Sequence, residues 1–141
     1  MVFSLLEQEI TAIAAAHALR GQKIAIDLLG KISRIPGHWQ PHVVAEINDY
    51  QFKVVKVAGD FVWHTHHDTD EAFIALEGVL RIDFRKHVME LCAGELAVVP
   101  KGVEHKTYAA TEAKLLLIEH RGVVNTGDAQ TQRAAPNDLW V

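Results

Sequence analysis

Residues 59–78 read GDFVWHTHHDTDEAFIALEG, and this stretch decides the fold. His64-Thr65-His66 ends a run of strand-forming residues, and side chains two apart on a strand project from one face about 7 Å apart. Two imidazoles could therefore converge on one ion. By itself the pair is weak, since nine His in 141 residues yield a chance His-x-His in roughly every second chain of this composition. Glu71, five residues on at the start of the next apolar run, adds a carboxylate, and Gly78 marks the turn that ends that run.

A second block follows at residues 94–105, reading GELAVVPKGVEH. Its spacing of Gly94, Pro100, Gly102 and His105 arises by chance in only about one chain per thousand of this composition. The joint occurrence of the two blocks is therefore strong evidence for one site.

Outward from these blocks, short β-rich runs separated by turn signals extend from His42 to Glu119. They are read as Val43–Ile47, Phe52–Val57, Phe61–His66, Ala72–Leu76, Val79–Phe84, Val88–Leu91, Leu96–Val99, Lys106–Ala109 and Lys114–Glu119. That is enough for a closed double sheet, and closure removes exposed strand edges. Before them, Ser4 and Glu7 have capping-box spacing, and the alanine-rich run to Leu19 with Gly21 beyond it reads as a helix. Its positions Leu6, Ile10, Ile13 and His17 share a face expected to dock on the remainder of the chain. Residues 24–29 fit either a strand or a helical turn. The expected organisation is a helix and connector over 1–41, a β-barrel over 42–121, and over 122–141 an extended tail pinned to the barrel by Leu139-Trp140-Val141.

The two blocks resemble the paired motifs of the cupin superfamily, matched here by Gly59, His64, His66, Glu71 and Gly78, then Gly94, Pro100, Gly102 and His105. The 15 residues between them, 79–93, match the short spacing of small single-domain bacterial cupins of the conserved-barrel type. Two positions depart from the pattern. Four residues separate Gly59 from His64 where five are usual, and Ala109 stands where asparagine is common; neither is a ligand position. The resemblance implies an all-β double-stranded β-helix, or jelly roll, here with an N-terminal α-helix. It also implies a metal held by His64, His66, Glu71 and His105.

Three imidazoles and a carboxylate suit one divalent transition metal, Fe, Mn, Ni, Zn or Cu, and ligand type alone does not choose among them. Four protein ligands leave positions for water or substrate on an octahedral ion. The resemblance also implies a small-molecule ligand and a homodimer. Its members span dioxygenases, isomerases, decarboxylases, lyases and non-enzymatic binders, so two functions stand side by side: a metal-dependent enzyme such as a dioxygenase or isomerase, and a metal-containing sensor without turnover.

Strand alternation from the ligands places Val62, Phe73, Ala75, Thr107 and Ala109 on the inward face, a mostly apolar lining. One of Lys53 and Lys56 is expected to point inward with them. His67, Asp68, Asp70 and Glu104 read as surface groups, and Trp63 as facing away from the site. The bulk numbers exclude other partners. A net charge of −4, with no basic cluster beyond Arg85-Lys86, offers no footprint for nucleic acid or an anionic membrane. No apolar stretch reaches the roughly 20 residues of a membrane span. Glu7 and Glu9 interrupt any signal-peptide pattern, and the lone Cys92 fits a reducing compartment, so the expected address is the cytoplasm.

Overall fold

The computed structural model describes residues 4–18 and 25–141. Two helices, α1 (Leu5–Ala18) and α2 (Leu28–Ile32), precede seven strands. These are β1 (His42–Ile47), β2 (Tyr50–Asp60), β3 (Glu71–Glu77), β4 (Leu80–Asp83), β5 (Val88–Leu91), β6 (Leu96–Val99) and β7 (Lys106–His120). The order β1-β2-β7-β3-β6 forms one side, and β4 pairs with both β5 and β7. All pairings between these strands are antiparallel. The result is the expected all-β jelly-roll barrel with an N-terminal helix.

β7 serves both halves of the roll. Its first residues, Lys106–Tyr108, pair with β4, and Lys114–Glu119 pair with β3. The sequence reads this segment as two strands, but it is one, interrupted by a bulge. Val57 pairs with Ala113 while Gly59 pairs with Ala109, so residues 110–112 have no counterpart on β2. Gly59, at φ 76°, supplies the left-handed backbone that lets β2 turn there.

Inward alternation on β2 runs through Gln51, Lys53, Val55 and Val57, all buried. The main core joins Val55, Val57, Phe73, Leu80, Ile82, Leu115 and Leu117. A second cluster lies on the outer face, where Ile32 and Ile35 cover Val44 and Val54. Asp27 caps α2 by accepting a bond from Gly30 N at 3.0 Å; of residues 24–29, read as strand or helical turn, 24 lies outside the described residues, 25–27 are neither, and Leu28 and Leu29 open the helix. Truncating Ile32, which is fully buried, would cost about 2–4 kcal/mol.

The capping box of α1 forms as read: Ser4 N donates to Glu7 Oε2 at 2.8 Å and Glu7 N to Ser4 Oγ at 3.2 Å. The expected docking does not follow. Leu6, Ile10 and Ile13 are 64%, 50% and 46% exposed, because α2, not α1, covers the outer sheet. Leu19 and Gly21, read as the end of that helix, lie outside the described residues. No helix among the described residues is long and apolar enough to cross a membrane.

Residues 122–141 wrap the barrel as a succession of turns. Val43 N donates to Leu139 O at 2.7 Å and Val141 N to Val43 O at 3.2 Å, while Val141 packs into the outer cluster. Nearer the site, Asp128 holds residue 65 from both sides: its Oδ1 accepts from Thr65 N at 2.7 Å, and its N donates to Thr65 O at 3.0 Å.

Candidate metal centre

The stretch 61–66 is not the regular strand its composition suggests; it makes one bridge, His64 to His105. Its remaining backbone groups go elsewhere: Phe61 N donates to Thr107 O at 2.9 Å, and His66 O accepts from Gly102 N at 2.8 Å. Alternation therefore fails here. Phe61, three residues before His64, shares its face and lines the cavity, while Val62, expected inward, is only half-buried and stands off it. Phe73 and Thr107 do line the cavity, and Ala75 and Ala109 are buried in the barrel core.

His64, His66, Glu71 and His105 converge, all buried, with one potential ligand atom from each lying within 4.8 Å of the others. Two rings are held in a definite tautomer. His64 Nδ1 lies 2.8 Å from Val62 O, and His105 Nδ1 lies 3.0 Å from Val103 O. A carbonyl only accepts, so each Nδ1 carries a proton, and Nε2 is the nitrogen that each ring, once neutral, offers to the centre. Glu71 Oε2 lies 3.2 Å from His66 Nε2 and 3.4 Å from His105 Nε2, yet none of these three buried atoms completes an aligned hydrogen bond. Buried polar atoms left in that state are rare and costly. Donor atoms converging in this way fit a divalent cation at their centre.

The titration of the cluster is uneven. Burial, and then the neighbouring His105, push His64 down to about 4. Burial also favours neutral His66 and His105, but contact with the Glu71 carboxylate more than offsets it, so both sit above the ordinary histidine value. Glu71 is lowered to about 2: burial opposes its charge, and contacts with His105 and His66 overcome that. Its carboxylate is thus ionised, as a ligand must be.

A buried polar row beside the cluster escaped the sequence reading. Glu119 pairs in register with Glu71 on one side and with Gln51 on the other. Lys53, the inward one of the two lysines, is 2% exposed. Its Nζ lies 3.6 Å from Glu119 Oε1 and donates to Val123 O at 3.2 Å. Burial first, and the Glu71 charge second, raise Glu119 to about 8. The signal for Glu119 was present, since Leu115, Leu117 and Glu119 alternate onto the inward face.

The groups read as peripheral are placed accordingly. His67 is exposed and pairs with Asp128 at 3.2 Å; Glu104 pairs with Arg85, whose guanidinium lies 3.8 Å over Trp63. Asp70 Oδ1 accepts from Lys101 N at 2.8 Å and so ties the first motif's loop to the second's.

The centre opens into a narrow cavity that continues into an open mouth. His64 and Glu71 form its polar end, and Val55, Val57, Phe73, Leu115 and Leu117 its walls. Trp39 and Asn125 lie at the rim; both come from outside the barrel strands, so strand alternation gave no hint of them.

The chain is similar to known proteins. The family model of the cupin domain matches residues 51–121, and the chain belongs to the cupin family. A cupin-2 domain containing protein from Shewanella frigidimarina is 56% identical in crystal structure, covering 69% of this chain and 95% of its own, with a TM-score of 0.68. Protein NMB1881 from Neisseria meningitidis is 37% identical, over 68% of this chain and 98% of its own, with a TM-score of 0.62. The uncharacterized protein YdbB of Bacillus subtilis is 38% identical over 79 residues, 55% of this chain and 70% of YdbB.

Proposed function

We propose that His64, His66, Glu71 and His105 hold one divalent transition metal, and that the protein is a metal-dependent enzyme acting on a small organic molecule in the adjoining cavity. The observation that carries this reading is the set of four buried donors around a common centre, three of whose ligand atoms have no hydrogen-bond partner, at the end of an apolar pocket. When bound, such an ion supplies a Lewis acid for a substrate oxygen or a redox centre for dioxygen. The chain's own residues do the rest. Val62 O and Val103 O orient two of the imidazoles, Phe61 and Phe73 exclude water from the centre, and the ionised Glu71 offsets the charge of the ion.

Elemental analysis of protein purified without oxygen tests the first half. One bound ion per chain, lost in His105→Ala, is expected; unchanged metal in the variant sinks the assignment. Oxygen uptake and isomerase screens on the loaded protein test the second half, and ligand binding without turnover would instead make it a metal-containing sensor.

We also propose that the chain pairs as a homodimer. Apolar side chains left open on α1 (Leu6, Ile10, Ile13) and on the outer face of β6 (Leu96, Val98) support it. Light scattering on the eluting protein gives the mass directly, and a monomer at all concentrations would refute pairing.

A further inference from the structure

Trp39 and Asn125, from the connector before β1 and the tail, line the cavity, and an arginine of the neighbouring cleft faces its Phe61 wall. Trp39 sits in the left-handed region at φ 61°, a conformation bulky residues adopt only when their surroundings impose it. Three bonds impose it here: Trp39 N donates to Lys56 O at 3.0 Å, its Nε1 to Ala58 O at 3.0 Å, and its O accepts from Asn125 Nδ2 at 3.4 Å. The outcome is an indole stacked on Phe61, with ring centres 4.7 Å apart, at the edge of the cavity.

The same Asn125 amide donates to Arg133 O at 3.0 Å, and its Oδ1 accepts from Ala135 N at 2.9 Å. One side chain thus fixes Trp39 and the backbone of Arg133 to each other. The Arg133 guanidinium lies 5.9 Å from the centre of the Phe61 ring. It lines a second, more polar cleft, which shares Trp39 as a wall with the cavity.

Elsewhere on the barrel, Arg81 pairs with Asp83, Arg85 with Glu104 and Arg121 with Glu46. Among the described residues Arg133 forms no ion pair. A guanidinium beside an aromatic wall of an apolar pocket, with its backbone clamped and its charge unmatched, has its donors available to an anion.

We propose that the cavity takes a small organic anion, its apolar body between Phe61, Phe73 and Leu117 and its carboxylate or equivalent oxyanion on Arg133, which sets specificity. The proposal deepens the small-molecule reading above and rests on it for the cavity, though not on the presence of a metal.

The test is titration of the full chain with benzoate and with its neutral isostere benzamide, in both metal-loaded and metal-free protein. Benzoate is expected to bind about tenfold tighter, the difference between a charge-assisted and a neutral hydrogen bond. Arg133→Met should erase that preference while leaving benzamide affinity unchanged, and Arg133→Lys should restore part of it. Arg133 is exposed, so neither change threatens the fold. Equal affinities for the two probes, failure of both to bind, or a preference that survives Arg133→Met would each overturn the proposal; the last places the carboxylate at the centre instead. The same preference in metal-loaded and metal-free protein upholds the anion reading on its own, while the metal reading stands or falls by the elemental analysis above.

Discussion

His64 and His105 exchange both of their backbone hydrogen bonds, N to O at 3.0 Å in each direction. Each motif's loop is fastened to the other through main chain, while the two rings stand with centres 4.4 Å apart. The backbone that presents the ligands therefore does not depend on the ligand side chains themselves.

For that reason His105→Ala is expected to lose the metal and keep the barrel. The cost in stability is that of a buried truncation, about 2–4 kcal/mol. Elemental analysis together with far-ultraviolet circular dichroism reads both effects, and loss of the β-sheet spectrum would show that the side chain holds the fold.

Metal uptake should strengthen as pH rises through and above 6.5. The Glu71 carboxylate raises His66 and His105, so in metal-free protein they hold their protons to higher pH than a free imidazole does, and a cation must displace whatever protons remain. His64, lowered to about 4, and Glu71, lowered to about 2, are already in ligand form there. Calorimetry in two buffers of different ionisation enthalpy should show proton release at pH 6.5 that shrinks by pH 9; release that is constant with pH would contradict the assignment.

Glu119 gives the metal-free protein an alkaline weakness. Its pKa rises from 4.5 unfolded to about 8 folded, so the folded state binds the proton more tightly. Stability is full below about 4.5 and falls as pH climbs to about 8. Glu119→Gln keeps the shape and cannot ionise, so its stability should vary less between pH 5 and pH 8.5, by a difference of order one to a few kcal/mol. Urea melts at the two pH values decide it, and parallel curves for the two proteins would refute the shift.

Gly127 is the point where the tail presses on the ligand loop. At φ 54°, a Cβ there would lie 2.5 Å from Thr65 O and 3.1 Å from His64 Cδ2. Gly127→Ala should cost roughly 1–3 kcal/mol from the backbone strain and the clash together, and should weaken metal binding because the loop it displaces carries His64. A melting temperature and metal affinity equal to wild type would show that the tail yields freely.

The barrel was legible because its strands alternate and its motif spacings are improbable by chance; His64, His66, Glu71 and His105 converge as the resemblance implied. What was not legible depends on partners distant in sequence. Phe61 replaces Val62 at the cavity because Asp128, 63 residues away, takes the Thr65 amide that a regular strand would have used. Trp39 and Asn125 reach the rim from loops, where side-chain direction follows no period. The unbroken course of β7 was hidden by residues 110–112, whose bulge looks like a gap between two strands. Glu119 was overlooked inside an apolar run although its alternation pointed inward.

The grip of Asp128 on Thr65 has a consequence for where this protein can be cut. The family match ends at residue 121, yet the peptide group between two metal-site histidines is secured from beyond that boundary. A fragment trimmed to the family's borders would retain every proposed ligand and lose the brace that aims one pair of them. The barrel matched by the family is in this sense a chassis, and the last twenty residues help to align it.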